Sequence, residues 1–137
     1  MKDQKSVLLL EDNAIEAKKV ARAFEKLGFG NTLISKENGK EGLEWLEGNK
    51  EDLPGLILLD LNMPIMNGFE FLEKAKSHPE FKKIPVVIMT TSKQPSDKLK
   101  SFENYAAGYM VKPVRYSEFV DMMTSIKHYW NTSESAY

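Results

Sequence analysis

Four apolar runs in the sequence each end in polar side chains that could take part in phosphate or metal chemistry. The four ends carry an acid pair, a single acid, a hydroxyl and an amine, at Glu11 and Asp12, Asp60, Thr90, and Lys112. Carboxylates bind hard divalent cations, and a cation together with an ammonium group can neutralise a phosphoryl group. The spacing along the chain is wide, so one site can form only if the fold brings these ends together.

The three carboxylates predict a site for a divalent cation. Glu11, Asp12 and Asp60 would concentrate too much negative charge to lie together unless a pKa rises or a metal binds. A few oxygen ligands with room for water suit Mg²⁺ better than a closed Ca²⁺ site. Zinc is disfavoured, because the chain has no cysteine and because we expect His78 and His128 at the surface near helix ends. Asp60 could then act as a carboxylate nucleophile toward a phosphoryl group.

Short apolar runs alternate with stretches of helical pattern along the whole chain. The runs predict five strands, at 5–10, 31–35, 55–60, 84–90 and 108–111. The intervening patterns predict five helices, at 13–27, 38–47, 67–77, 96–106 and 116–130, the fourth capped by Ser96-Asp97. Five such units predict a parallel sheet with helices on both faces, because parallel strands need crossovers. The carboxyl ends of its strands then share one edge, where such sheets bind ligands.

Length and composition limit the class of protein. The 137 residues predict one domain, and 42% hydrophobic with 28% charged residues is typical of a globular chain. With 20 acidic and 19 basic residues there is no electrostatic case for nucleic acid or for an anionic membrane. The polar segment 1–6 lacks the apolar core of a signal peptide, and no apolar run approaches ~20 residues. We therefore expect a cytoplasmic protein without a membrane span.

The order of these motifs resembles the receiver domain of two-component response regulators over about residues 6–126. The matching parts are Glu11-Asp12, the segment DLNMPIMNG at 60–68, Thr90, and Lys112-Pro113. Each motif alone is weak evidence for the family. All of them together, in this order and on the predicted strands and helices, are specific to it. The segment HPEFKKIP at 78–85, followed by TTS at 90–92, is similar to the single-domain regulators associated with phytochromes.

The resemblance implies an α/β fold of the flavodoxin-like (βα)5 type, a doubly wound parallel five-stranded sheet with strand order 2-1-3-4-5. The receiver domain would occupy residues 1–130, and 131–137 would be a polar, frayed tail. A sensor histidine kinase, phytochrome-like or not, or a phosphotransfer protein would phosphorylate Asp60. The tail leaves no room for a DNA-binding domain, so we expect output through a partner protein or through dimerisation.

The same resemblance implies the metal ligands. Asp12 and Asp60 would bind Mg²⁺ directly, Glu11 would bind it through water, and the main-chain carbonyl of Asn62 would complete the protein's ligands. No other cofactor is expected.

Three further residues receive roles from the resemblance. Thr90 would donate a hydrogen bond to a phosphoryl oxygen, and Lys112 would pair with another. Tyr109 matches the aromatic switch, which turns inward when Thr90 moves toward the phosphoryl group. The Lys112–Pro113 peptide bond would be cis, as is usual in this family.

The last predicted helix carries more apolar residues than a core face needs. We expect its core positions to be Phe119, Met123 and Ile126. The surplus residues would be Met122, Tyr129 and Trp130. Because a surplus apolar patch often marks an interface, we expect a dimer or partner surface on this helix and its neighbours.

Other interpretations remain open at this stage. Asp60 alone could simply belong to the turn before Pro64, although the other three ends favour a functional site. A phosphohydrolase that forms an aspartyl phosphate often places an acid two residues after the nucleophile, where this chain has Asn62, a poor base. A receiver-like binding module that is never phosphorylated is the second alternative, and the complete set of acids, Thr90 and Lys112 argues against it. We expect a phosphoacceptor rather than an enzyme.

Overall fold

The computed structural model describes residues 5–132. Five strands form the sheet: β1 (Val7–Leu10), β2 (Leu33–Lys36), β3 (Leu56–Leu59), β4 (Val86–Thr90) and β5 (Gly108–Val111). Five helices connect and follow them: α1 (Ala14–Lys26), α2 (Gly39–Glu47), α3 (Gly68–Ser77), α4 (Pro95–Glu103) and α5 (Tyr116–Thr132). A short 3-10 helix (Phe81–Lys83) lies between α3 and β4.

All the strand pairs of the sheet are parallel, and the strand order is β2-β1-β3-β4-β5. The predicted flavodoxin-like fold is therefore confirmed. Alternate strand residues feed two separate cores, one that includes Leu8 and Ile57 and one that includes Leu9 and Leu58. Helices α2 and α3 cover the first core, and α1 and α5 cover the second.

Local sequence explains where several helices begin and end. Asn13 and Asn38 cap α1 and α2, since their side chains accept hydrogen bonds from backbone N–H groups of the first turns. Asn67 and Glu70 form a reciprocal capping box on α3. After α1, Gly28 has a φ of 66°, which side chains rarely adopt, so the chain turns there toward β2.

Helix α4 begins one residue before the predicted Ser96-Asp97 cap. Its first residue is Pro95 and its cap position is Gln94, whose side chain makes no capping hydrogen bond. The prediction that Ser96 caps the helix was wrong, because proline has a preorganised φ and no N–H to satisfy at this position.

Helix α5 is longer than predicted and reaches Thr132, so the first two residues of the predicted tail, at 131 and 132, are helical. The rest of that tail, 133–137, lies outside the described residues. No helix within 5–132 combines the length and the apolar character that a membrane span requires.

The core positions predicted on α5 are confirmed, because Phe119, Met123 and Ile126 are buried. Trp130 was predicted as a surplus surface residue, and this was wrong, since its side chain is only 5% exposed. Positions 119, 123, 126 and 130 repeat at helical spacing, so Trp130 lies on the same buried face of α5 as the predicted core positions. Tyr129, in contrast, is 55% exposed.

Trp130→Ala should destabilise the protein by about 3–5 kcal/mol, because it removes a large buried aromatic side chain and leaves a cavity. The matched control Tyr129→Ala, one residue earlier on the exposed face, should change the free energy of unfolding by only about 0.5 kcal/mol. Urea unfolding followed by circular dichroism measures both. Equal losses in the two variants would contradict the burial of Trp130.

Candidate functional site

The carboxyl ends of β1 and β3 bring the acidic residues together. The backbone N–H of Asp60 donates to the carbonyl of Leu10 at 3.1 Å, and that of Glu11 donates to the carbonyl of Lys36 at 3.0 Å. The first residues after the two neighbouring strands are thus fixed side by side. Carboxylate oxygens of Glu11, Asp12 and Asp60 all lie within 4.8 Å of one another.

Lys112 reaches the same cluster from the end of β5. Its Nζ is 2.5 Å from Oε1 of Glu11, 3.6 Å from Oε1 of Glu16 and 4.0 Å from Oδ2 of Asp60. The ammonium group is therefore paired first with Glu11, while Asp60 lies at the limit of an ion pair. Sequence reasoning missed Glu16, although its place in the first turn of α1, four residues after Asp12, could have indicated it.

Burial and charge shift the pKa values of this cluster. Burial raises the pKa of Asp60 above its ordinary value, although Lys112 and the backbone N–H groups of Asn62 and Leu61 act in the opposite direction. Burial also raises the pKa of Glu11, opposed by its hydrogen bond to Lys112. Burial alone would lower the pKa of Lys112, but its bond to Glu11 and the surrounding carboxylates raise it overall. Lys112 therefore stays charged among acids that are costly to ionise.

Thr90 and Tyr109 are connected through the loop after β4. Thr90 is fully buried, and its hydroxyl oxygen accepts a hydrogen bond from the backbone N–H of Ser92 at 3.2 Å. Tyr109 is half-buried against the first core, and its hydroxyl donates to the carbonyl of Ser92 at 3.0 Å. The backbone N–H of Lys112 donates to the carbonyl of Thr90 at 2.7 Å, so β4 holds the end of β5 in place.

The loop between β3 and α3 holds Asn62 beside the acids. Asn62 has an exposed side chain, and its backbone N–H lowers the pKa of Asp60 by hydrogen bonding its carboxylate. The loop is tied to α2, because the backbone N–H of Gly39 donates to the carbonyl of Met66 at 3.1 Å. Ile65 lies at the centre of a three-residue turn with a φ of 66°, an unusual conformation for a β-branched residue.

Gly68 allows α3 to approach the strand end closely. A Cβ atom at this position would lie 2.5 Å from the carbonyl oxygen of Asp60 and 2.7 Å from the Cα of Leu61. The N–H of Gly68 donates to the carbonyl of Leu61 at 3.0 Å, which closes the loop. Only glycine therefore fits without moving the backbone of Asp60.

The donor set fits a hard divalent cation. The clustered donors are carboxylate oxygens, which suit Mg²⁺ or Mn²⁺ better than metals that prefer nitrogen or sulfur. Lys112 offsets only part of the charge of Glu11, Asp12 and Asp60. The side chain of Asp12 is exposed and lines an open cleft of about 540 Å³ together with Asn62 and other residues of the β3–α3 loop, which leaves room for water ligands.

One expectation for this region is corrected. No peptide bond is cis within the described part of the chain, so the predicted cis form of Lys112–Pro113 was wrong. The trans form of an X–Pro bond is favoured by about 0.5–1 kcal/mol unless tertiary contacts select the other form. Here Lys112 already reaches the acids and β4 with a trans bond.

The chain belongs to the response regulator receiver domain family, whose model matches residues 7–124. The probable methanogenesis regulatory protein FilR2 of Methanothrix harundinacea is 36% identical over 127 residues, covering 90% of this chain and 82% of FilR2. The response regulator Rcp1 of Synechocystis is 32% identical over 130 residues, covering 92% of this chain and 88% of Rcp1. The family predicted from the motifs is confirmed. It places the chain in two-component signalling, in which a histidine kinase is the partner.

Solved structures agree over nearly the full length. The phosphorylated cyanobacterial phytochrome response regulator RcpA matches with a TM-score of 0.90 at 28% identity, covering 97% of this chain and 99% of RcpA. The Mn²⁺-bound form of Rcp1 matches with a TM-score of 0.88 at 30% identity, covering 97% of this chain and 99% of that one. The predicted similarity to phytochrome-associated regulators is therefore confirmed as a likeness of sequence and fold.

Gly68→Ala should lower both stability and the ability of the chain to take up a phosphoryl group, because the new methyl group must displace the backbone of Asp60. Overpacking of this kind costs about 1–3 kcal/mol. Gly48→Ala is the matched control, since a Cβ there meets nothing closer than 3.6 Å. Thermal unfolding and intact mass after treatment with acetyl phosphate measure the two effects. A Gly68→Ala variant as stable and as reactive as the control would show that the close approach is unimportant.

Proposed function

We propose that the chain is a single-domain response regulator that accepts a phosphoryl group on Asp60. The observation that carries this proposal is the cluster of Glu11, Asp12 and Asp60 with Lys112 bound among them at one edge of the sheet. We take the receiver unit predicted as 1–130 to extend to the end of α5 at Thr132.

The metal in this proposal is Mg²⁺. Asp12, Asp60 and the main-chain carbonyl of Asn62 would hold it directly, and Glu11 would hold it through water. The bound ion would neutralise phosphoryl oxygens and so lower the repulsion between the incoming group and the acids. The nucleophile and the groups that bind the phosphoryl oxygens are residues of the chain itself.

The chemical step is a phosphoryl transfer from a phosphohistidine. A carboxylate oxygen of Asp60 attacks phosphorus, the phosphorus–nitrogen bond breaks, and the histidine nitrogen keeps the electron pair, which gives an acyl phosphate. Lys112 lies 4.0 Å from Asp60 and so starts within reach of a phosphoryl oxygen there. Thr90 uses its hydroxyl oxygen as an acceptor for Ser92, so its own proton remains available for another phosphoryl oxygen.

A docking surface for the phosphoryl donor surrounds the site. Three large apolar side chains are exposed near it: Ile15 at 72%, Ile65 at 77% and Val114 at 98%. They come from the start of α1, the loop after β3 and the loop after β5, all at the edge that carries Asp60. Such a patch around a polar centre suits a helical protein surface that delivers a phosphohistidine. A histidine kinase or a phosphotransfer protein would bind here, and the likeness to RcpA supports a phytochrome-like kinase as one candidate donor.

We propose that the protein signals and does not turn over a substrate. Asn62 follows Asp60 at the position where a hydrolase would need a base to activate water. At most, the chain would phosphorylate and dephosphorylate itself. With its near-neutral charge it would act on proteins rather than on nucleic acid or a membrane. The proposed compartment is the cytoplasm, because a kinase that uses ATP must meet Asp60 there.

Output would pass through the face formed by α4, β5 and α5. Its exposed apolar residues lie mainly on or just after α4: Leu99 at 61%, Phe102 at 43% and Tyr105 at 75%, with Tyr129 of α5 at 55%. The exposed apolar surface that was predicted for α5 alone therefore lies on both α4 and α5. We propose that this face pairs with a second copy or with a partner once Asp60 is phosphorylated.

Asp60→Asn should abolish phosphoryl uptake while keeping the fold. Acetyl phosphate with Mg²⁺ should add one phosphoryl group to the wild type and to the control Asp52→Asn, whose carboxylate lies in an exposed turn, but none to Asp60→Asn. Intact mass and circular dichroism measure uptake and fold. Continued turnover of small phosphoesters would instead support the phosphohydrolase, and a wild type that takes up neither acetyl phosphate nor beryllofluoride would support the unphosphorylated binding module.

The same variant should be more stable than the wild type without metal, and increasingly so as pH rises. The pKa of Asp60 is raised by burial, so the folded state binds a proton more tightly than the unfolded state. The wild type therefore loses stability as pH rises from the ordinary carboxyl range through the raised pKa, and the amide does not. Thermal unfolding in EDTA at a series of pH values that starts in the ordinary carboxyl range, at about pH 4, and rises from there should show the gap widening. A gap that narrows would contradict the assigned direction.

Two charge substitutions should separate the docking face from the output face. Ile15→Glu should slow transfer from a histidine kinase without slowing uptake from acetyl phosphate. Leu99→Glu should leave both rates unchanged but prevent the shift in mass that beryllofluoride and Mg²⁺ produce in light scattering. Each variant is the control for the other, since both place a charge on an exposed apolar position. A wild type that stays monomeric at high concentration with and without beryllofluoride would rule out self-association.

A further inference from the structure

Ser92 makes four hydrogen bonds, which reach three parts of the molecule. Its backbone N–H donates to the hydroxyl oxygen of Thr90 at 3.2 Å, and its carbonyl accepts from the hydroxyl of Tyr109 at 3.0 Å. Its side-chain hydroxyl donates to Oδ2 of Asp97 at 2.5 Å and accepts from the backbone N–H of Gln94 at 3.3 Å. One residue of the β4–α4 loop thus contacts the site, the half-buried tyrosine and the first turn of α4.

The bond to Asp97 is the unusual part of this arrangement. Helix α4 has no side-chain cap of its own at Gln94, and Asp97 lies in its first turn. A carboxylate there is favoured by the helix dipole, and here it also binds the loop. The carbonyl of Asp97 accepts from the hydroxyl of the fully buried Ser101, one turn further along the same helix. The Ser92–Asp97 bond therefore ties the β4–α4 loop to the first turn of α4.

We propose that the Ser92–Asp97 hydrogen bond is a latch that couples the phosphorylation site to α4. The inference rests on the proposed function of Asp60 and adds two positioning residues to it. The latch holds the β4–α4 loop where Thr90 and Tyr109 bind the same residue, with the proton of Thr90 free for a phosphoryl oxygen. When the latch opens, the carbonyl of Ser92 no longer holds a fixed position as acceptor for the hydroxyl of Tyr109, and the first turn of α4 is no longer bonded to the loop.

The latch favours the arrangement that a phosphoryl group needs. A ligand that binds only one of two arrangements has an apparent affinity that is reduced in proportion to the fraction of molecules in that arrangement. Removing the latch should therefore weaken the binding of a phosphoryl analogue, while the acids that bind the metal remain intact. A side chain that merely capped α4 would change stability but not this affinity.

The test compares Ser92→Ala and Asp97→Ala with two conservative variants, Ser92→Thr and Asp97→Asn, which keep a donor and an acceptor. The readouts are the apparent affinity for beryllofluoride in saturating Mg²⁺, the affinity for Mg²⁺ alone, and the ¹⁹F NMR signal of Tyr109 in fluorotyrosine-labelled protein. Tyr109→Phe assigns that signal. Ser77→Ala is the control, because its hydroxyl binds only its own helix at the carbonyl of Glu73.

Both alanine variants should weaken beryllofluoride binding by about 2-fold to 10-fold, the effect of one lost hydrogen bond. Mg²⁺ affinity should stay at the wild-type value. The Tyr109 signal should shift before any ligand is added, and the double variant Ser92→Ala/Asp97→Ala should be no worse than either single variant. The threonine and asparagine variants should recover most of the affinity.

Two results would overturn the latch. One is a Tyr109 signal in the ligand-free alanine variants that matches the wild type and the control. The other is a double variant whose losses add. A wild type that binds no beryllofluoride would defeat the proposed role of Asp60 instead, and the ligand-free signal would still decide whether the latch exists.

Discussion

The structure depends on buried negative charge at the carboxyl edge of the sheet. Backbone hydrogen bonds fix the residues after β1 and β3 side by side, so Glu11 and Asp60 cannot separate to relieve their repulsion. Burial of a carboxylate is costly unless it is paired, and Lys112 pairs closely with only one of them. The remaining charge favours a divalent cation at this edge, and in the proposed function that cation would in turn favour a phosphoryl group.

The rest of the fold supplies the rigidity that this charge requires. The central strands β1, β3 and β4 are fully apolar up to their last residues, so both cores close around them and hold the polar ends in register. Gly68 lets α3 pack against the backbone of Asp60. The bond between Gly39 and Met66 fixes the following loop on α2. A looser scaffold would let the acids move apart and lose the site.

The sequence predicted the fold and the meeting of the site residues because both follow from coarse patterns. Apolar runs that alternate with helical patterns specify a parallel sheet, and a parallel sheet carries its strand ends to one edge. The ion pairs at the site were not predicted from the sequence, because they depend on distances of a few ångströms. That Lys112 pairs with Glu11 before Asp60, with Glu16 nearby, depends on side-chain reach across β1, β3 and β5. The burial of Trp130 was predicted wrongly, although its spacing from Phe119, Met123 and Ile126 puts it on the same face of α5.

Under the proposed function, the position of Lys112 gives a physical reason for the site to change when Asp60 is phosphorylated. In the structure its ammonium group is bound to Glu11, and a phosphoryl group on Asp60 would offer a second and more concentrated anion close by. Thr90 follows the neighbouring strand β4, and its hydroxyl oxygen accepts from Ser92 while its proton is still available to donate. A modification shifts an equilibrium only through contacts that differ between its two states. In the proposed function, Lys112 and Thr90 would provide those contacts, and Ser92 would pass the change of Thr90 to Tyr109 and α4 through its hydrogen bonds.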